Sequence, residues 1–394
     1  MSETPADSDL PYDPDARRDT PLALKLKQRI RRDGPITVAE YMRACLTDPE
    51  HGYYVRQQAI GANGDFVTAP EISQVFGELI GLWSVVVWQQ MGSPFRFNLV
   101  ELGPGRGTMM ADALRAARIV PGFIEAAQLH LIEANATLIE IQRSTLYTYA
   151  TRAHWHPEIA TALGPGCTIP EAPTIILGNE FLDTQPIAQF IFQGGQWRER
   201  AVGLDTEGQL SFTILANPDN VFKPTLGPGY ILNEGDIHER NGGLAFFAVT
   251  VLQSLETCAP YAGLLIDYGH SRSAVGDTLQ AVEQHRHVSP LYAPGETDLT
   301  AHVDFETFAS LMHSTRKSKI DGPTTQAEFL GSLGIMERAS RLMSANPQLA
   351  HEIELGVARL MAVPGMGNRF KAIGVRSANL PPLPGFPPPQ QTAP

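Results

Sequence analysis

The chain has 394 residues, with 30 basic against 42 acidic side chains and a formal net charge of −12. That length suffices for one large or two medium domains, and the acidic balance gives no reason to expect nucleic acid or an anionic membrane as a partner. Cys45, Cys167 and Cys258 are scattered without a CxxC pair, which speaks for a reducing compartment and against a disulfide scaffold.

The first twenty residues carry Glu3, Asp7, Asp9, Asp13, Asp15 and Asp19. They read as a disordered tail rather than a signal or transit peptide. Leu22 to Arg32 and Thr37 to Leu46 read as two helices, the first stopped at Gly34-Pro35, and Asp48 to Tyr54 as a turn. Thr68-Ala-Pro-Glu71 has the form of a capping box opening a helix, Ile72 to Gln90, that is apolar around most of its surface. Its run from Leu79 to Trp88, interrupted by Gly81 and Ser84, is too short to span a bilayer. Asp65 and Phe66, in the loop before that helix, are either turn formers or part of a ligand lid.

The most informative stretch is Phe97-Asn-Leu-Val-Glu-Leu-Gly-Pro-Gly-Arg-Gly-Thr-Met-Met110. An apolar strand, Phe97 to Leu102, breaks into Gly103, Pro104, Gly105, Arg106 and Gly107, and from Thr108 the apolar spacing becomes helical. Glycines allow positive φ and close backbone approach, and a helix start offers free N–H groups. A P-loop would need a lysine, absent here. A dinucleotide fingerprint would need glycine or alanine at Thr108, which disfavours a nicotinamide-dependent oxidoreductase. The form E-x-G-x-G-x-G, with Glu101 two residues before the first glycine, resembles motif I of the class I S-adenosylmethionine-dependent methyltransferases. A cationic amino acid–nucleoside suits a carboxylate and a close turn without a pyrophosphate cradle. The cofactor set is therefore Glu101, Gly103, Pro104, Gly105, Gly107 and Thr108.

Gln128 to Asn135 reads as a second parallel strand ending on Glu133, placed to accept two ribose hydroxyls; a solvated strand-end acid is the alternative. Residues 136–146 read as a helix and Arg152 to Trp155 as a third strand. There Trp155 falls where an adenine ring could stack, although a core tryptophan is as good a reading. Thr174 to Leu177 is a fourth strand running into Asn179, Glu180, Phe181 and Asp183. Ligands in doubly wound sheets lie beyond the carboxyl ends of the strands, so Asn179 joins the cofactor set while Glu180 and Asp183 are candidates for catalysis.

Residues 187–235 look like an antiparallel insertion, Leu244 to Cys258 a helix, and Ala262 to His270 a fifth strand ending in Asp267, Tyr268 and His270. Tyr268 and His270, with Asp65 and Phe66, form the candidate substrate-binding set. Asp298, His302 and Asp304 are closely spaced, but without a further clustered histidine or cysteine they do not make a metal site. Asp304 reads instead as the cap of a helix from Phe305 to Met312. Lys317 to Gly322, a helix Thr325 to Leu333 and a strand Arg369 to Val375 complete the sheet. Residues 380–394 read as a loose polyproline-type tail.

Five stretches, Gly64-Asp-Phe-Val-Thr-Ala-Pro-Glu71 through Gly81, Val100 to Met110, Asn179-Glu-Phe-Leu-Asp183, Ile266-Asp-Tyr-Gly269 and Asp298 to Phe305, together resemble a particular family. It is that of the mitochondrial complex I assembly-factor protein arginine methyltransferase and its bacterial MidA-like relatives. The resemblance runs over roughly residues 22–376 in the family's order. It implies an α/β class I methyltransferase fold, a Rossmann-like seven-stranded sheet with helices on both faces, plus an N-terminal helical lid and an antiparallel insertion. It implies S-adenosyl-L-methionine as cofactor and symmetric ω-N-methylation of an arginine on the 49-kDa-type subunit of NADH:quinone oxidoreductase. A cytoplasmic bacterial member is expected, or one of the mitochondrial matrix if the source is eukaryotic, with a homodimer as a candidate assembly.

The expected division is a tail at 1–20, a helical lid and substrate region at 21–95, a methyltransferase core at 96–285 with an insertion at about 187–240, a substrate-lining segment at 286–378 and a tail at 379–394. Within the core, Glu180 and then Asp183 would hold a guanidinium by charge-assisted hydrogen bonds, while His302 and Asp304 would accept the proton or shape the peptide groove. A small-molecule methyltransferase and a non-catalytic cofactor-binding assembly chaperone are the alternatives.

Overall fold

A computed structural model describes residues 12–55, 68–216, 224, 226, 230–252, 255, 259–313 and 317–387. Asp65, Phe66 and Cys258 lie outside the described residues. The chain divides into two compact units, one of Met1–Phe66, Thr184–Gly243 and Ser273–His302, the other of Val67–Asp183, Leu244–Arg272 and Val303–Pro394.

The second unit is built on strands β1 (Phe97–Leu102), β2 (Ala127–Ile132), β3 (Ala153–His156), β4 (Thr174–Asn179), β5 (Tyr261–His270), β6 (Ser318–Thr325) and β7 (Phe370–Ser377). They lie in the order β6-β7-β5-β4-β1-β2-β3. Strands β1 to β5 pair in parallel, and β7 runs antiparallel to both β5 and β6. The expected seven strands gain an eighth member, the two-residue strand Val303–Asp304 beside the end of β5.

Strand β1 is buried at every position, which is why it reads as a continuous apolar run. Its side chains alternate between two cores: Phe97 and Leu99 enter one apolar cluster, Val100 and Leu102 the other. Strand β4 splits likewise, with Ile175 and Leu177 opposed to Ile176. Helices α1 (Gln74–Gln90) and α2 (Thr108–Ala117) cover the first face; Ile159–Leu163 and Phe305–His313 cover the second. Helices α1 and α2 approach closely because Gly77 and Gly81 face α2. A Cβ at Gly81 would sit 2.2 Å from the Ala113 carbonyl oxygen.

Several expectations need correction. Thr68 makes no side-chain cap; Glu71 instead accepts the Thr108 hydroxyl at 2.5 Å. The helix expected from Ile72 is two pieces, Ala69–Ile72 and α1, broken where Ser73 turns extended and caps α1 through the Val75 N–H. The helix expected over Leu244 to Cys258 begins as an α-helix at Gly242–Phe246 and widens to a π-helix at Phe247–Leu252. Helices Ile335–Ala345 and Ala350–Met361 were not anticipated.

The proline-rich end is no loose tail over its described part. Leu380 and Leu383 are buried, the Trp83 indole donates to the Pro384 carbonyl at 3.1 Å, and Asp321 accepts the Leu383 N–H at 3.1 Å while pairing with Arg376. Apolar residues between the prolines anchor the segment, which composition alone conceals.

The first unit holds the helices Pro21–Asp33 and Val38–Thr47, close to their expected bounds, the second opened by a Thr37–Glu40 capping box. Its antiparallel sheet contains Ile36–Thr37, Ile187–Gln193, Gln196–Leu204, Leu210–Ile214 and Ile237–Asn241, so the insertion is antiparallel as expected. A three-stranded sheet, Gln280–Glu283, Arg286–Val288 and Asp298–Thr300, was not anticipated. Leu22, Leu26, Tyr41 and Met42 are among its core residues.

Candidate functional site

Apart from His302, the following geometry lies within the parallel-sheet unit. Beyond β1 the backbone takes three left-handed residues, Gly103 (φ 59°), Gly105 (φ 54°) and Gly107 (φ 81°). A side chain at any of them would strain the turn. The Gly107 N–H donates to the Pro104 carbonyl at 2.8 Å, and α2 starts at Thr108 with no side-chain cap.

Before the turn, Glu101 is 1% exposed. Its Oε2 has no hydrogen-bond partner among the described residues, and burial pushes its carboxyl up to about 8. A buried acid oxygen without a partner can take a donor or a cationic group.

Glu133, half-buried just past β2, accepts the Asn135 N–H at 2.8 Å and the Gln142 amide at 3.1 Å; burial raises its carboxyl despite these bonds. Trp155, on β3, donates its indole N–H to Gln142 at 2.8 Å. The Arg143 guanidinium lies 5.2 Å from its ring centre. Glu101, the glycine turn, Glu133 and Trp155 thus sit at the carboxyl ends of three adjacent strands, β1, β2 and β3.

The second constellation follows β4. Glu180 adopts φ 53°, a left-handed conformation carried by a non-glycine residue. Its N–H donates to the Ile266 carbonyl at 2.9 Å. Its Oε1 accepts the Asn179 amide at 3.0 Å and the Ala69 N–H at 3.3 Å. Burial first, and then the charge of Asp183, push Glu180 up to about 7, while these bonds and Arg359 pull the other way. The Asn179 Oδ1 is buried without a partner among the described residues. A Cβ at Gly103 would sit 3.4 Å from the Phe181 ring, so this loop adjoins the glycine turn.

Asp183 is buried. Behind it lies Asp267 of β5, 1% exposed. Asp267 accepts the N–H groups of Leu182 at 2.8 Å, Asp183 at 3.1 Å and Tyr268 at 2.9 Å. Burial, and then Asp183 and Glu180, raise its carboxyl well above the ordinary range. Buried Asp183 and Asp267 and half-buried Glu180 thus form one acid cluster, in which burial and the neighbouring acids raise the proton affinity of Glu180 and Asp267.

Tyr268 meets Phe370 edge-on at 5.5 Å. His270 pairs in register with Asp304; burial lowers its proton affinity, partly offset by Asp304. Asp304 caps its helix as expected, accepting the Thr307 N–H at 2.9 Å and hydroxyl at 2.8 Å. His302 is exposed, belongs to the antiparallel unit, and donates its N–H to Thr278 at 2.9 Å. Among the described residues, no group of three or more His, Cys, Asp or Glu is arranged for a metal, and no helix is long and apolar enough to cross a membrane.

The site assignments from sequence omitted two residues. Asp267 carried a signal, an acid inside an apolar strand. Gln142 carried a fainter one: it stands four residues after Leu138, on the buried face of helix α3 (Ala136–Thr145).

The strand order, the single antiparallel strand β7 and the glycine turn after β1 define a class I S-adenosylmethionine-dependent methyltransferase. Residues 79–324 match the model of an S-adenosyl-L-methionine-dependent methyltransferase family. The mitochondrial protein arginine methyltransferase NDUFAF7 of Danio rerio is 34% identical over 370 residues, covering 89% of this chain and 85% of that protein. Its Homo sapiens counterpart is 33% identical over 376 residues, covering 89% and 82%. A Burkholderia thailandensis protein crystallised with S-adenosyl-homocysteine superposes with a TM-score of 0.77 at 24% identity, covering 94% of this chain and 97% of that one. The chain belongs to this family of S-adenosyl-L-methionine-dependent methyltransferases, alongside the NDUFAF7 proteins. Its cofactor is S-adenosyl-L-methionine, and the orphaned Glu101 carboxyl and the glycine turn fit the cationic amino-acid end of that molecule.

Proposed function

We propose that the protein methylates the ω-nitrogens of an arginine in a protein substrate. The observation that carries this reading is the acid cluster of half-buried Glu180 with buried Asp183 and Asp267, beside the glycine turn. Clustered carboxylates repel one another unless a proton or a cation sits among them. A guanidinium is such a cation, planar and rich in donors. Relatives that are named protein arginine methyltransferases support the same acceptor.

When bound, the cofactor supplies an electrophilic methyl group on a sulfonium. Glu101 and the 103–107 turn hold its amino-acid end, Glu133 its ribose and Trp155 its adenine, with Pro104, Thr108 and Asn179 closing the cofactor pocket. Glu180 and Asp183 grip the guanidinium and draw its positive charge toward the nitrogens that do not react. One N–C bond forms as one S–C bond breaks, leaving the homocysteine nucleoside and a methylated guanidinium that sheds one proton. Glu180, with a proton affinity near neutral pH, accepts it. Tyr268, His270 and Asp304 shape the peptide groove. Catalysis otherwise rests on alignment within a dehydrated pocket.

We further propose symmetric ω-N-methylation, with an arginine of the 49-kDa-type subunit of NADH:quinone oxidoreductase as target. The setting is the bacterial cytoplasm, or the mitochondrial matrix in a eukaryote, and the assembly a homodimer. The test is incubation with isotope-labelled S-adenosylmethionine and a cell lysate, followed by mass spectrometry of the labelled species. Label on a protein arginine as symmetric dimethylarginine supports the proposal; label on a metabolite or another residue type overturns it.

A further inference from the structure

Among the described residues, the Gln142 side chain joins three parts of the cofactor pocket. It is fully buried, at 0% exposure. Its amide donates to the Gly105 carbonyl at 2.7 Å and to Glu133 Oε2 at 3.1 Å. Its Oε1 accepts the Trp155 indole N–H at 2.8 Å. The glycine turn, the end of β2 and strand β3 therefore converge on a single amide, two donated bonds and one accepted, with every polar atom satisfied. Helix α3, N-capped by Asn135, lies directly on the turn: a Cβ at Gly107 would sit 3.5 Å from Gln142 Cγ.

No other side chain of this length meets the three demands. Glutamate would set an acceptor against the Gly105 carbonyl and the Glu133 carboxylate. Methionine fills the volume but forms none of the bonds. Loss of the amide would leave a buried indole N–H and a backbone carbonyl without partners and would free the Glu133 rotamer, and a site whose parts must be ordered by the ligand binds it more weakly.

We propose that Gln142 is a positioning residue for the nucleoside half of the cofactor. It sets the Gly105 carbonyl, the Glu133 carboxylate and the Trp155 ring in their binding arrangement before ligand arrives. The proposal rests on the assignment of the turn, Glu133 and Trp155 to the cofactor, and it names a residue that touches none of the reacting atoms.

The experiment is calorimetric titration of the full chain with S-adenosyl-homocysteine and with methylthioadenosine, which lacks the amino-acid end. It compares wild type, Gln142→Met, Gln142→Glu and Trp155→Phe, with methyl-transfer kinetics alongside. Gln142→Met is expected to raise the Kd of both ligands by at least about tenfold, and Gln142→Glu by more. Trp155→Phe, which removes one arm at a half-buried position, is expected to raise it by less. For the Gln142 variants the KM for S-adenosylmethionine rises in parallel, while kcat at saturation and the KM for the protein substrate stay within about threefold. Equal Kd values for wild type and folded Gln142→Met, or an effect on S-adenosyl-homocysteine that methylthioadenosine does not share, overturn the proposal. Should Gln142→Met fail to fold, Trp155→Phe and Gln142→Glu carry the same comparison, and unchanged binding in both overturns it. Absence of binding by the wild type would instead strike the cofactor assignment itself.

Discussion

The Asp267 carboxylate accepts the backbone N–H of Asp183 at 3.1 Å, so an acid on the fifth strand fixes the loop that presents an acid after the fourth. The same carboxylate takes the N–H groups of Leu182 and Tyr268. Asparagine at 267 has one acceptor oxygen and turns an amide donor toward an N–H. Asp267→Asn is expected to lower kcat by about tenfold or more, through displacement of Asp183, while the Kd for S-adenosyl-homocysteine stays within about threefold. Steady-state kinetics with calorimetry checks both halves; equal loss in the two would reduce Asp267 to a fold residue.

Glu180 is proposed to contact the guanidinium itself. Glu180→Gln keeps the shape and removes the charge, so cofactor binding should persist while turnover falls by about a hundredfold or more. Burial and Asp183 hold the wild-type carboxyl near 7, so the active, ionised form grows in as pH rises. Asp183, Asp267 and Arg359 act on it from neighbouring elements. The wild-type rate should climb through about pH 7, and the residual rate of Glu180→Gln should lack that limb. Unchanged turnover in the variant would reject the role.

Glu101 ties stability to pH with a definite sign. Its ordinary value is 4.5 and its folded value about 8. Between those values the unfolded chain has released a proton that the ligand-free fold still holds. Stability is therefore lost as pH rises through that window, by at most about 1.4 kcal/mol per pH unit for this group, and is level above it. A cationic ligand favours the ionised form, so cofactor binding should release protons near pH 7, read as a dependence of calorimetric heat on buffer ionisation enthalpy. Glu101→Gln should raise the ligand-free Tm at pH 8 and weaken cofactor binding. A variant less stable than wild type at that pH contradicts the assignment.

Gly81 permits the close crossing of α1 and α2. A Cβ there would press on the Ala113 backbone at 2.2 Å, with no flexible side chain to yield. Gly81→Ala should cost about 1–3 kcal/mol or more in denaturant unfolding. By contrast, Gly92, whose Cβ position is open, carries no such contact, although its φ of 88° still disfavours alanine.

The central parallel strands were legible because they are sheathed on both faces and so read as largely apolar runs bounded by turn residues, as in Phe97–Leu102 and Thr174–Asn179. The glycine turn was legible because its backbone needs residues without a Cβ. What escaped notice depends on partners distant in sequence. Glu71 looked like half of a capping box until Thr108 supplied its hydrogen bond. Leu380 and Leu383 were hidden among prolines, and Gln142 has no local feature that marks it as a junction. The three acids of the second constellation come from two strand ends, and only the pairing of β4 with β5 brings them together.

The most direct measurement is a crystal structure of the full chain with S-adenosyl-homocysteine. The account predicts the homocysteine amino group against Glu101 and the 103–107 turn, with both ribose hydroxyls on Glu133. A nucleoside bound anywhere else, or none at saturating concentration, would contradict it.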